Sequence, residues 1–167
     1  MICAFGALAL AAPAQGATTR SSTRTQIAQA VVPFGDSCAV VVNLSEVTRR
    51  QLGAGASTSE PSATLRVDHF CSDGMGSGSA VLAPDEYAFG PGTAHVHASV
   101  GNWQVAFAWT AIAKPQTSVL IIDGGRTIAR DAQAAVAGAV TDGVTTAEGA
   151  AALMADVVSL HTPPAGS

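Results

Sequence analysis

Two runs of alternating residues on either side of Gly101-Asn102 constrain this chain more than any other feature. In the second run Trp103, Val105, Phe107 and Trp109 share one parity, and Gln104, Ala106, Ala108 and Thr110 share the other. A period of two places side chains on opposite faces of an extended strand. Thr93 to Val100 and Trp103 to Ala113 then form the arms of a hairpin, because Gly-Asn is a composition that tight two-residue turns accept. A chain committed to such a hairpin must cover its apolar face with further strands or a helix.

More strands are legible. Leu65, Val67, His69 and Cys71 alternate with Thr64, Arg66, Asp68 and Phe70, the pattern of a half-buried strand. Cys38 to Asn43 and Ser118 to Ile122 are short apolar runs suited to buried strands. Strand signals also start at Val31, and recur at Ala80–Ala83 and Tyr87–Phe89. Residues 53–62 (GAGASTSEPS) and 72–78 (SDGMGSG) have the composition of a loop and a glycine-rich turn. Arg130 to Val140 is alanine-rich and fits strand or helix. Thr145-Thr146-Ala147-Glu148 matches a capping box, and Ala150, Leu153, Met154 and Val157 follow at helical spacing. The expectation is a mainly β domain, a small antiparallel sheet of sandwich or barrel-like form, with a C-terminal α-helix over about Thr146–Leu160.

The first residues read differently. Ile2 to Ala12 is apolar and uncharged, and Ala12-Pro13-Ala14 has the small-x-small form of a signal-peptidase site. The run is shorter than the ~20 residues needed to span a bilayer. Its usual basic start is missing, since Arg20 is the first charge, and a buried N-terminal helix is the competing reading. The expected organisation is a signal peptide over 1–16, a flexible Ser/Thr-rich lead-in over 17–30, one β-rich domain over 31–162 and a tail over 163–167. No later segment is apolar for long enough to cross a membrane as a helix. The implied location is secreted or otherwise extracytoplasmic, in a periplasm or cell envelope.

Export changes how the cysteines are read. Cys3 falls in the presumed signal, which leaves Cys38 and Cys71 as an even pair. In an oxidising compartment they are expected to form a disulfide. The alternatives are two buried thiols, or a zinc site for which no C-x-x-C or C-x-x-H pair is present to supply the other ligands.

Composition narrows function mainly by exclusion. Only 12% of residues are charged against the usual ~25%, and the formal net charge is −4. Lys114 is the one lysine. Nucleic-acid binding calls for a basic stripe that this chain lacks. The partner expected is an unidentified protein or small ligand.

Three constellations carry candidate chemistry. His95 and His97, two apart on a strand, leave from one face about 7 Å apart. With His69 as a third ligand they would hold a metal ion, the one cofactor the residues suggest. Trp103 and Trp109 share a strand face, so they are core, or, if turned to solvent, a platform for a sugar or apolar ligand. Gly74, Gly76 and Gly78 could cradle an anion, but they lack the lysine and helix of a phosphate loop.

The stretch Gly76-Ser77-Gly78-Ser79-Ala80-Val81-Leu82, then Tyr87, then Thr93-Ala94-His95 resembles the start of a chymotrypsin-like serine protease. The resemblance implies a barrel with His95 as general base. It places Ser118 where the family has its aspartate, and no G-x-S-G follows. What it implies is therefore a degenerate trypsin-like barrel without a complete triad. Two classes remain: an exported non-enzymatic binding or envelope module, and a small hydrolase or metal-binding protein centred on His95 and His97.

Overall fold

Strand β1 runs from Arg20 to Phe34 and folds back through Gly35-Asp36-Ser37 into β2 (Cys38–Leu52). The turn needs a left-handed residue, and Gly35 supplies it at φ 64°. The computed structural model describes residues 20–162 except 54, 123, 124 and 150. The presumed signal over 1–16 and the tail over 163–167 lie outside the described residues.

The remaining strands are β3 (Ser57–Thr58), β4 (Ser62–Cys71), β5 (Gly74–Val81), β6 (Tyr87–Gly90), β7 (Thr93–Val100), β8 (Trp103–Ala111), β9 (Gln116–Ile122), β10 (Gly125–Thr141), β11 (Thr146–Glu148) and β12 (Ala151–His161). All join one antiparallel sheet in the order β5-β4-β2-β1-β12-β10-β8-β7-β6, with β3 beside β2 and β9 and β11 beside β10. The sheet curls into a half-barrel. Its first and last long strands, β1 and β12, lie side by side in the middle, in register from Ser21↔His161 to Val31↔Ala151.

The two outermost strands of that order, β5 and β6, are joined by residues 82–86 alone. Five residues reach at most ~18 Å, so the edges must come close and the sheet must bend. Contacts across the gap agree. A Cβ on Gly78 of β5 would lie 2.9 Å from the Val100 side chain of β7, and the His97 amide donates to the Glu86 carbonyl at 2.8 Å.

The inner surface is the core. It holds Ala28, Ala30, Val32 and Phe34 of β1, Val40, Val42 and Leu44 of β2, Leu65 and Val67 of β4, and Val105, Phe107 and Trp109 of β8. Trp109 is 1% exposed and donates its indole N–H to the Gln29 carbonyl of β1 at 3.1 Å. That bond satisfies a donor that would otherwise be buried unpaired. Phe34 meets Trp103 edge-on, with ring centroids 5.2 Å apart.

The hairpin read from Thr93 to Ala113 is present as β7 and β8, paired from Val100↔Trp103 to Thr93↔Thr110. Other expectations are corrected. No helix is present among the described residues. Thr146–Glu148 form β11 and the residues from Ala151 to Leu160 lie in β12 instead. The capping pattern is pre-empted, because the Thr145 amide is taken by the Asp142 carboxylate at 2.7 Å. Helical spacing also loses to pairing: β12 has β1 on one side and β10 on the other, and a strand with two partners satisfies every backbone group.

The lead-in expected over 17–30 is strand from Arg20 onward, flanked by β2 and β12. The glycine-rich stretch 72–78 is a turn only at Ser72-Asp73, and β5 starts at Gly74. Gly76 pairs with His69, and a Cβ at Gly76 would collide with that imidazole ring. Glycine there makes room for a neighbour rather than for an anion.

Cys38 and Cys71 are directly paired in the β2–β4 register and form a disulfide, with Cα atoms 4.1 Å apart. The bond locks the end of the sheet that also carries Phe34, Trp103 and His69, where His69 and Trp103 lie 5.8 Å apart.

Candidate functional site: a cleft at the polar end of the half-barrel

Toward the start of β1 the inner face stops being apolar. Arg24 and Gln26 continue the parity of Ala28 and Ala30 but project from the same wall as polar groups. On β12 the parity of Ala152 and Met154 leads to Asp156. On β10 the parity of Ala134 and Ala132 leads to Arg130. Register brings these together. Asp156 is opposite Gln26 on one side and opposite Arg130 on the other.

Arg24 reaches Asp156 with two bonds. Its Nε donates to Oδ1 at 2.9 Å and its Nη2 to Oδ2 at 3.0 Å. This bidentate geometry fixes both groups. The Asp156 bonds, together with the Glu46 charge, hold the Arg24 guanidinium protonated above its ordinary range. Glu46 also faces Tyr87, whose phenol is pushed up first by burial and then by its hydrogen bond to that carboxylate.

Between these strands lies a cleft of about 190 Å3. Arg24, Gln26, Arg130 and Asp156 form its polar wall, and Phe89, Pro91, Ala111, Pro115 and Met154 its apolar side. The β6–β7 turn, Pro91-Gly92, roofs it. Gly92 at φ 70° lets the turn sit against Ala111, whose amide donates to the Gly92 carbonyl at 2.8 Å. Among the described residues, Arg130 has no ion-pair partner. Both Asp156 oxygens are already engaged by Arg24.

The candidate residues read from sequence fall elsewhere. His95 and His97 project from the outer face of β7 and are exposed. His69 lies on the inner face, against Trp103. The sheet therefore separates the three, and no group of three His, Cys, Asp or Glu converges among the described residues. Ser118 is on β9, which is not adjacent to β7, so the protease-like stretch brings no partner to His95. The chain's single curled sheet carries that stretch on β5, β6 and β7.

His97 lines a groove of about 400 Å3 on the outer face, with Glu86, Ser99, Gln104 and Thr141. Trp109 is core and Trp103 is half-buried between Phe34 and His69, so the two do not form a platform facing solvent. The sequence reading missed Arg24, Arg130 and Asp156. Their signal was a strand whose inward parity changes from apolar to charged partway along, which is visible only once the strand itself is recognised.

Comparison with known proteins adds little. No family model matches, and no curated protein matches. One solved structure, a protein of Nitrosomonas europaea that bears the provisional name AttH, is 6% identical with a TM-score of 0.45. The match covers 81% of this chain and 51% of that one, so the chain spans about half the length of that neighbour. Among the described residues no helix is long and apolar enough to cross a membrane.

Proposed function

We propose that the protein is an exported, non-enzymatic binding module that takes a small ligand in the cleft at the polar end of its half-barrel. One observation carries this reading. Charged side chains on the inner faces of three neighbouring strands converge on an apolar recess, in a fold whose fully buried inner residues are all apolar. Ligand sites in β-barrels favour the mouth, where a few placed polar groups meet an apolar lining. The Cys38–Cys71 disulfide supports export, because such bonds persist in oxidising compartments. The uncharged start of the chain supports the same route.

The export arm is tested by expressing the full chain in a secreting host and weighing the product. The expected mass lacks the first 14–16 residues and two thiol hydrogens. An intact chain with free Cys38 and Cys71 contradicts export. The binding arm is tested by screening small fragments by NMR. Shifts grouped on Phe89, Arg130 and Met154 support the cleft. Shifts grouped on His97 and Gln104 instead favour the outer groove.

That groove carries the second reading, a small hydrolase or metal-binding protein centred on His95 and His97, through His97 alone. Its observation is the set His97, Glu86 and Ser99 along one groove. Stoichiometric zinc in the purified protein, lost in His97→Ala, would favour it over the binding module.

A further inference from the structure

We infer that the cleft is selective for small monocarboxylates with a short apolar body, held head-first on Arg130. This rests on the reading of the cleft as a ligand site and adds the chemical class.

The charge balance at the wall sets the head group. Arg24 and Arg130 bring two cations, and Asp156 brings one anion. Arg24 and Asp156 neutralise each other through two bonds. What remains is one guanidinium, Arg130, lining the recess without an ion-pair partner among the described residues. One guanidinium without an ion-pair partner, with the Asp156 and Glu46 carboxylates both nearer Arg24, matches a single negative charge better than a doubly charged phosphate monoester. A guanidinium also meets a carboxylate through two parallel N–H bonds, a geometry that a lysine could not supply.

The Arg24–Asp156 clamp has a second effect. It occupies both Asp156 oxygens, and Asp156 makes no ion pair with Arg130 although the two residues are directly opposite in the β10–β12 register. Arg130 is thereby left free to accept an external anion. In a chain of formal net charge −4 this is a local site rather than the fringe of a basic surface.

The rest of the cleft sets the body of the ligand. Phe89, Pro91, Ala111, Pro115 and Met154 offer no charge and little hydrogen bonding. At about 190 Å3 the space is below the ~300–1,000 Å3 of clefts for drug-sized ligands, so it suits a short chain. Met154 is an unbranched, adaptable side chain in its lining, which lets bodies of slightly different shape be accommodated.

The test titrates the full chain, by calorimetry, with straight-chain carboxylates from butanoate to decanoate and with the matching alcohols. Affinity is expected to rise about fourfold per added methylene until the cleft is full, and then to level off. Each carboxylate is expected to bind more tightly than its alcohol. Arg130→Gln should weaken the carboxylates at least about tenfold and leave the alcohols unchanged. Arg66→Gln removes a cation from the outer face and should change neither series. Ala132→Leu fills the recess without altering charge and should weaken both.

Carboxylates and alcohols binding equally well, with both lost in Ala132→Leu, would overturn the carboxylate assignment and keep the cleft as a binding site. Binding untouched by Ala132→Leu, or no binding by either series, would overturn both.

Discussion

At the scale of single residues, the backbone of β10 turns on Gly138. It sits at φ 111°, and a Cβ there would run into the Ala106 backbone carbonyl of β8. A side chain is excluded twice, by conformation and by space. Gly138→Ala is expected to destabilise the fold by at least about 2 kcal/mol in urea unfolding. A loss under 0.5 kcal/mol on the same order-of-magnitude scale would contradict the account of β10. Asp142 is the second residue with a specific duty. Its Oδ1 accepts the Val144 amide at 2.9 Å and the Thr145 amide at 2.7 Å, closing the β10–β11 loop. Those two bonds, Thr145 first, hold the carboxyl below its ordinary range. A depressed carboxylate pKa stabilises the folded state at pH above the unfolded value. That contribution disappears as pH falls through the folded one. The Val144 and Thr145 amide resonances should therefore titrate at lower pH than an exposed aspartate, and Asp142→Ala should abolish the transition. Neither duty was legible in sequence. Gly138 stood in an alanine-rich stretch that fitted helix or strand, and Thr145 drew attention as a cap that Asp142 had already displaced.

At the scale of elements, the strands that were legible are those with one wholly apolar face. β4, β7 and β8 alternate cleanly because each packs one side on the core and leaves the other to solvent. β1 before Val31 and β12 were not legible, and the reason lies in the cleft. Their inner faces pass from Ala28 and Met154 to Arg24, Gln26 and Asp156, so the period of two loses its apolar signal where the cleft begins. The proposed binding role fits this, because local rules tend to fail where a strand serves a ligand site. The consequence is testable in β1. A flexible lead-in would tolerate proline at Thr25, whereas a central strand would not, because Thr25 pairs with Val47 on one side and Val157 on the other. Thr25→Pro is expected to lower the melting temperature sharply or prevent folding, and an unchanged melt would restore the lead-in. The disulfide acts at the same scale. Cross-linking β2 to β4 across a separation of 33 residues should contribute about 3–4 kcal/mol through loop-closure entropy. The double variant Cys38→Ala/Cys71→Ala is expected to lose about that much by denaturant titration and keep the fold. A loss below about 1 kcal/mol would show that the pairing of β2 with β4 suffices by itself.

At the scale of the whole molecule, topology gives the chain its shape. The short link from β5 to β6 draws the sheet edges together, and Gly78 against Val100 marks how closely they approach. One end is then capped by aromatic rings and a disulfide, and the other is polar and recessed. The low charge of the sequence takes on meaning here. With only 12% charged residues, placing two arginines and an aspartate on inner faces is a concentrated use of a scarce group. Histidines, by contrast, were the residues the sequence offered for chemistry, and the curl of the sheet places His69 inside and His95 and His97 outside. Sequence spacing along one strand could identify a shared face but not which face turns inward. Two methionines now report on the central claim. Met154 lines the cleft, and Met75 is 80% exposed on β5, away from it. The direct measurement is a methyl spectrum of the full chain with 13C-labelled methionine, recorded during titration with hexanoate. The account predicts that the Met154 methyl resonance moves in a saturable way while that of Met75 stays fixed. A stationary Met154 resonance, or equal movement of both, would contradict it.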